Sequence, residues 1–350
     1  MVDRIKKMTI KQVAEAAGVS IATVSNALNG TGRLSAERRK AIISIAESLR
    51  FRPNLMAKAL IKKRSFTIGL LTDDTYGRFS FPVMAGISEA LVDQGVTVSL
   101  STIDDDPARA RVYIDALLDR MVDGLIVSGR RADLHIPLDL GGVDVPVVYA
   151  LTASPSGHAH VVVDDAGGAR DATRWLMDLG RRRIVHVTGP EAHLAARARA
   201  QGYRDAVSAK ARVLFGRWSE QWGHEAVAKL WAGGDLPDAI SCGSDQIARG
   251  VVDALRERGV AVPDQVSVVG FDNWEIVAAA TRPPLTTVDM NLKELGRQAG
   301  LMVMAMSRGE LAPDVERQVP CALVVRQSCG GAAEYEARQE EALRQLLAGQ

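Results

Sequence analysis

Apolar side chains recur at helical spacing in two short stretches near the start of the chain. Ile10, Val13, Ala14 and Ala17 fall on one face of a first helix, and Val24, Ala27 and Leu28 on one face of a second. Thr9 followed by Gln12 has the pattern of a capping box. Gly18 stands where the first helix ends, because glycine takes a positive φ without a steric penalty. Ser20 is placed to cap the second helix. Residues 9–28 thus predict two short helices joined by a tight turn, a helix-turn-helix. A third helix is expected after the cap Ser35, with Ile42, Ile45, Ala46 and Leu49 facing inward.

From residue 66 the pattern changes. Runs with strand character cover Thr67–Leu71, Val96–Leu100, Gly124–Val127, Val145–Tyr149, His160–Val163, Ile184–Val187, Ala239–Cys242 and Val266–Val269. Helical patterns lie between them, including Val83–Asp93, Ala108–Arg120, Ala169–Leu179 and Ile247–Arg258. Such alternation predicts parallel sheets flanked by helices, and the number of strands predicts two lobes rather than one sheet. Folds of this kind bind ligands at the carboxyl ends of their strands. A small molecule is therefore expected in a cleft between the lobes.

Charge adds a second division. The whole chain of 350 residues has a net charge of +1, yet residues 1–64 hold 14 Lys/Arg against 4 Asp/Glu, and the remainder is net negative. A small basic head on an acidic body predicts that the head meets a polyanion. In a helix-turn-helix the second helix enters the major groove of DNA. Ile21, Ala22, Ser25 and Asn26 point away from Val24 and Ala27. Asn can pair with adenine in bidentate fashion, and Ile or Ala can pack on a thymine methyl. Ser20, Thr23 and Asn29 are short donors suited to phosphate.

Other chemistry is sparse. Three cysteines (Cys242, Cys321, Cys329) are too few and too scattered for a disulfide framework or a zinc cluster. The six histidines show no metal-ligand spacing beyond His158 and His160. No phosphate-binding loop, nucleophile elbow or dinucleotide fingerprint is present, so no metal, cofactor or enzymatic activity is expected. No signal-peptide pattern and no membrane-spanning apolar run occur, which predicts a cytoplasmic chain with no membrane partner.

The segment "TIKQVAEAAGVSIATVSNALNG" resembles the N-terminal signature of the lactose-repressor/galactose-repressor (LacI/GalR) family of bacterial transcription factors. The resemblance covers about residues 5–330, through "VVVDDAGGARDATRWLMDLGRRRI", "VTGP", "GSDQIARG", "VSVVGFDN" and "RPPLTTV". It implies an N-terminal all-α helix-turn-helix bundle with a hinge helix, joined to an α/β core of two doubly wound parallel-sheet lobes of periplasmic-binding-protein type. The implied DNA-binding domain is 5–52, and the hinge and linker are 53–64. The core is 66–330, with one lobe formed by 66–163 and 291–320 and the other by 164–288 and 322–329. The tail 331–350 is expected to be helical.

The resemblance also implies roles for single residues. Base contacts fall on Ile21, Ala22 and Asn26. Phosphate contacts fall on Ser20, Thr23, Ser25, Asn29 and Ser35. "FRPNLMAKAL" resembles the hinge helix, where Asn54 can cap, and Leu60, with Ala57 on the same face, would wedge into the minor groove and kink the duplex. Effector positions fall on Arg199, Asp272, Trp218 and Ser244, and Asp73, Phe79 and Ser128 sit where strand ends of the first lobe face the cleft. Sugar-responsive relatives often carry Asp or Asn where this chain has Leu151 and Ser244, and a polar residue where it has Met290.

The implied function is a homodimeric, sequence-specific DNA-binding regulator, expected to be a repressor. It would bind a near-palindromic double-stranded operator, under the control of a sugar or sugar derivative. A purine or nucleoside corepressor, or a protein partner, is the alternative within regulation. A stand-alone solute-binding protein is the alternative outside it.

Overall fold

The computed structural model describes residues 8–51, 64–103, 106–207, 211–234, 236–333, 335–337, 340 and 344–345. The chain divides into two compact units, Met1–Ser65 and Phe66–Gln350. The hinge positions Asn54, Ala57 and Leu60 lie outside the described residues.

The first unit is a three-helix bundle of α1 (Ile10–Ala17), α2 (Ile21–Leu28) and α3 (Ala36–Ser48). Its caps follow the sequence closely. The Thr9 hydroxyl accepts from the Gln12 amide while the Gln12 side chain accepts from the Thr9 amide. Gly18 takes φ 62°, and Ser20 and Ser35 cap α2 and α3. Val13, Ala14, Val24, Ala27, Ile42 and Ala46 form the core, with Ile10, Ala17, Leu28 and Leu49 packed against it. Ile45 is only half-buried and lies outside that cluster, because Ile42 and Ala46 already cover the inward stripe of α3.

The second unit contains two six-stranded sheets. The first comprises β1 (Thr67–Thr72), β2 (Thr97–Thr102), β3 (Gly124–Arg131), β4 (Val147–Thr152), β5 (Ala159–Val163) and β11 (Glu316–Val319), in the order β11-β5-β4-β3-β1-β2. The second comprises β6 (Ile184–Thr188), β7 (Arg212–Phe215), β8 (Ala239–Cys242), β9 (Ser267–Asp272), β10 (Thr286–Asp289) and β12 (Ala322–Val324), in the order β12-β10-β9-β8-β6-β7. All pairings are parallel except β10 with β12. The chain crosses from one sheet to the other after β5, after β10 and after β11. Both sheets are doubly wound, and their strand order switches between β1 and β3 in one and between β6 and β8 in the other.

The helices are α4 (Ser80–Leu91), α5 (Pro107–Leu118), α6 (Asp165–Asp178), α7 (Leu194–Val207), α8 (Glu220–Ala232), α9 (Asp245–Glu257), α10 (Glu275–Ala278) and α11 (Leu292–Ser307). Close helix crossings depend on missing side chains. A Cβ on Gly86 would fall 1.8 Å from the Lys293 carbonyl oxygen, and one on Gly296 would fall 2.0 Å from that of Val83, so α4 and α11 touch backbone to backbone. Met302 and Met304 are buried at 1% exposure, and Trp175 of α6 at 6%, which places them in the core. Among the tail's described residues, Tyr335 donates to the Leu323 carbonyl at 2.8 Å and packs edge-on against Trp175.

Four strands were not anticipated by the hydrophobic pattern: β7, β10, β11 and β12. Edge strands β7 and β11 include charged residues (Arg212, Glu316, Arg317), β10 is half threonine, and the apolar run of β12 is only three residues long, so none gives a strong strand signal.

Candidate functional site

Two candidate surfaces emerge, one in each unit. In the helical unit, α2 presents Ile21, 47% exposed, together with exposed Ala22 and Asn26. Val24 and Ala27 bury the opposite face, which fixes the rotation of the helix. The Asn26 side-chain oxygen accepts from the Thr31 hydroxyl at 3.3 Å, which leaves its amide nitrogen as a donor. Ser20 accepts from the Thr23 amide at 3.1 Å and shares a hydroxyl contact with Thr23 at 2.8 Å. Asn29 donates back to the Ser25 carbonyl at 2.9 Å, and Ser35 caps α3. These short polar side chains thus hold the helix ends and stay at the surface. Arg39 donates to the carbonyls of Asn26, Ala27 and Thr31, tying α3 to the end of α2.

In the second unit, a cavity of about 380 Å³ lies between the two sheets. Its walls come from residues at or just beyond the carboxyl ends of β1, β3, β4 and β5 in the first sheet and of β6 to β10 in the second, with Arg199 reaching in from α7. Four non-glycine residues at these ends have positive φ, namely Leu151 at 53°, Asp272 at 108°, Asn273 at 50° and Asn291 at 52°. Strained backbone of this kind concentrates at functional sites. Asp74 orients the entry to α4 by accepting from the Phe79 and Ser80 amides at 2.6 and 2.9 Å.

Arg199 is the centre of the wall formed by the second sheet. It is 4% exposed. Its Nε donates to Asp165 at 2.8 Å, and its Nη1 to the Gly243 carbonyl at 2.5 Å and to Asp272 at 3.2 Å. The guanidinium lies over the Phe271 ring, 3.7 Å from its centroid. Burial works against the charged form, but Asp165 and Asp272 outweigh it and hold the Arg199 pKa above its usual value. Burial raises the pKa of Asp165, although Arg199 counteracts it.

Asp272 is not a free acceptor. Its second oxygen takes a hydrogen bond from Arg78, which comes from the opposite lobe and stacks 4.4 Å from the Trp274 ring and 4.9 Å from Phe79. Arg199 and Asp272 are therefore bonded to each other instead of standing as separate donor fork and acceptor. Buried charges require such pairing. The turn that carries Asp272 is held by Asp245, which accepts from the Thr287 hydroxyl at 2.5 Å and the Trp274 amide at 2.7 Å. Burial, reinforced by Asp272, pushes the Asp245 pKa up to about 7.

The remaining positions divide. Phe79, Trp218 and Ser244 line the cavity, as do Arg199 and Asp272. Trp218 sits where a Gly189 Cβ would be, and donates to His193 at 2.9 Å. Ser244 accepts from the Ile247 amide as the cap of α9. Leu151 and Met290 add apolar surface. Asp73 and Ser128 do not line the cavity. Asp73 accepts from Arg130 at 3.2 Å, and its other oxygen has no partner among the described residues. Ser128 is fully buried within β3, three residues before its end, and its hydroxyl likewise has no partner among the described residues.

Sequence reasoning missed Arg78, Arg130, Arg131, Asp133, Asp165, His193 and Gln246, all of which line the cavity. The adjacent pair Arg130-Arg131, directly after a strand run, was the available signal for two of them. Among the described residues, no group of three or more His, Cys, Asp or Glu could hold a metal ion, and no helix is long and apolar enough to cross a membrane.

Comparison with known proteins agrees with this arrangement. Residues 9–54 match the description of bacterial regulatory proteins of the lacI family, and residues 173–329 match a periplasmic binding protein-like domain. The HTH-type transcriptional regulator DegA of Bacillus subtilis (strain 168) is 31% identical over 333 residues, covering 92% of this chain and 98% of the relative. Catabolite control protein A of Priestia megaterium is 29% identical, covering 92% and 99%. The crystal structure of the lac repressor dimer bound to operator and the anti-inducer ONPF superposes with a TM-score of 0.68 at 27% identity, covering 93% of this chain and 99% of that one. The transcriptional regulator CelR–cellobiose complex gives a TM-score of 0.63 at 28% identity, covering 92% and 100%.

A helix-turn-helix unit in one chain with a two-lobed parallel-sheet receptor defines a ligand-responsive transcriptional regulator. The chain belongs to the LacI family of bacterial regulatory proteins.

Proposed function

We propose that this regulator acts in the cytoplasm as a homodimer that binds a near-palindromic operator and releases or retains it according to a small polar effector. Each helix-turn-helix unit reads one half-site, because the symmetry of the protein imposes symmetry on the operator. Ile21, Ala22 and Asn26 contact bases, and Ser20, Thr23, Ser25, Asn29 and Ser35 contact phosphate. Asn54, Ala57 and Leu60 of the hinge enter the minor groove. The exposure of Ile21, Ala22 and Asn26 on a helix fixed by caps at both neighbouring turns is the observation that carries this reading.

The effector, a sugar or sugar derivative, binds in the cavity between the lobes. Binding changes the angle between the lobes, hence the spacing of the two hinge segments in the dimer, hence the affinity for DNA. Linkage requires DNA to change effector affinity by the same factor. A lac repressor structure holds operator and a CelR structure holds cellobiose, which supports both halves of the proposal. Among the described residues the cavity shows no activated nucleophile or acid–base pair, and a regulatory role fits it best.

Selection from a random duplex pool with the full chain tests the reading. Enrichment of an inverted repeat is expected. Enrichment of sequences without two-fold symmetry would contradict the dimeric operator.

A further inference from the structure

Four guanidinium groups converge on the cavity, those of Arg78, Arg130, Arg131 and Arg199, against three carboxylates, Asp133, Asp165 and Asp272. We infer that the effector carries a negatively charged group, a carboxylate or a phosphate, held by the arginines at the end of β3. This rests on the reading of the cavity as the effector site and narrows it to acidic ligands such as sugar acids or phosphorylated sugars.

The argument is one of hydrogen-bond capacity. Each of the three carboxylates already accepts from a guanidinium. Asp133 takes both Nε and Nη2 of Arg131 at 3.1 Å, and its Oδ2 also accepts from the Leu194 amide at 2.8 Å. Asp165 takes Arg199, and Asp272 takes Arg199 and Arg78. Every guanidinium has five N–H donors and no acceptor. Arg130 uses only its Nε, toward Asp73 at 3.2 Å, and neither of its terminal nitrogens has a partner among the described residues. Nη1 of Arg131 is in the same condition, and Nη2 of Arg199 faces only the Met290 sulfur at 3.9 Å. Oδ2 of Asp165 is likewise without a partner among the described residues, but the four open guanidinium nitrogens outnumber it, so what the cavity offers in surplus is donors.

A neutral sugar hydroxyl brings a donor with each acceptor, so it needs acceptors in the wall. At three positions the wall has few. Leu151 and Met290 have apolar side chains, and the Ser244 hydroxyl already accepts from the Ile247 amide. A carboxylate or phosphate brings acceptors alone, and a guanidinium fork matches its geometry. Arg130 has 49% of its side chain exposed, so the charged group enters at the mouth on the β3 side without the cost of burying an unpaired ion. The body of the ligand then lies against Phe79, Leu151 and Trp218.

Calorimetric titration of the full-length chain with matched probes tests this. The panel pairs glucose with glucuronate, gluconate and glucose 6-phosphate, and galactose with galacturonate and galactose 1-phosphate. At least one charged probe is expected to bind about tenfold or more tighter than its neutral parent, with affinity that falls as salt rises. The carboxylate and phosphate arms separate the two sources of charge. Arg130→Gln is expected to reduce that affinity about tenfold, since a hydrogen bond to a charged group is lost, while the unfolding temperature stays unchanged. Neutral parents that bind as tightly as their charged partners, or an Arg130→Gln chain that binds the charged probe normally, overturn the inference and leave the small-effector reading intact. Absence of binding by every probe, charged and neutral, overturns both.

Discussion

Arg78, on the loop that leads into α4, reaches across the cleft and donates to Asp272, at the end of β9 in the opposite lobe. The two residues are 194 positions apart in sequence. With 18% and 8% of their side chains exposed, they are shielded enough from solvent for the attraction to matter. The pair ties the lobes together across the cavity. Arg78→Met removes the charged group that lies over Phe79 and Trp274 and keeps an unbranched apolar side chain in its place. Small-angle scattering of the ligand-free variant is expected to show a larger radius of gyration, from lobes that sample wider openings. An unchanged scattering profile would mean that the pair does not hold the lobes.

Arg199 serves structure, because two carboxylates depend on it. Arg199→Ala leaves Asp165 buried without a counter-charge, and such losses cost about 3–5 kcal/mol. Urea denaturation is expected to show a lower midpoint. Adding Asp165→Asn should recover part of the loss, since the stranded charge is removed. Operator binding should persist in whatever fraction remains folded, and the effector response should disappear. A variant as stable as the parent would show that the pairing contributes nothing.

Asp245 gives the core a distinct pH dependence. Its folded pKa is raised from 3.8 to about 7, so the folded state favours the protonated acid more than the unfolded state does. The stabilisation this brings is complete below pH 3.8 and is lost as pH rises through about 7. Thermal unfolding of the parent chain between mildly acidic and mildly alkaline pH should therefore include a loss that Asp245→Asn lacks. Parallel pH profiles for the two chains would contradict the assignment.

Asn26 offers the most direct test of base reading. Its oxygen is engaged by the Thr31 hydroxyl at 3.3 Å, and the residue is exposed on α2. Asn26→Ala should relax the preference at one base pair of each half-site and cost about 1–3 kcal/mol for the preferred sequence. Binding to other sequences should change little. An unaltered base preference, measured by duplex selection with both chains, would remove Asn26 from the reading surface.

The helical unit was legible because its signals are local. The Thr9–Gln12 box, Gly18 at φ 62° and the caps Ser20 and Ser35 each act within four residues, and each is where the sequence put it. Most buried strands were equally plain; β8 spans Ala239–Cys242, the same residues as its apolar run, whereas interior β10 was hidden because two of its three buried residues are threonines. Strand β11 was hidden because its sequence, ERQV, has one buried residue and lies at a sheet edge, where pairing with β5 rather than burial decides its conformation. The cavity was only partly legible for a related reason. Nothing near Arg78 in sequence announces Asp272, and nothing near Asp133 announces the Leu194 amide, since both contacts exist only after the lobes have folded. The family resemblance indicated Arg199 and Asp272, yet not that they are bonded to each other.

The central claim is that the basic helical unit grips duplex DNA as a symmetric pair, under the control of the two-lobed receptor. Fluorescence anisotropy with a labelled inverted-repeat duplex recovered by selection, titrated with the full-length chain over a range of salt, tests it most directly. The account predicts saturation at two chains per duplex, an affinity that falls steeply with log salt, and a shift in that affinity when effector is added. Anisotropy that stays flat at low salt, with sedimentation showing a single chain, would contradict it.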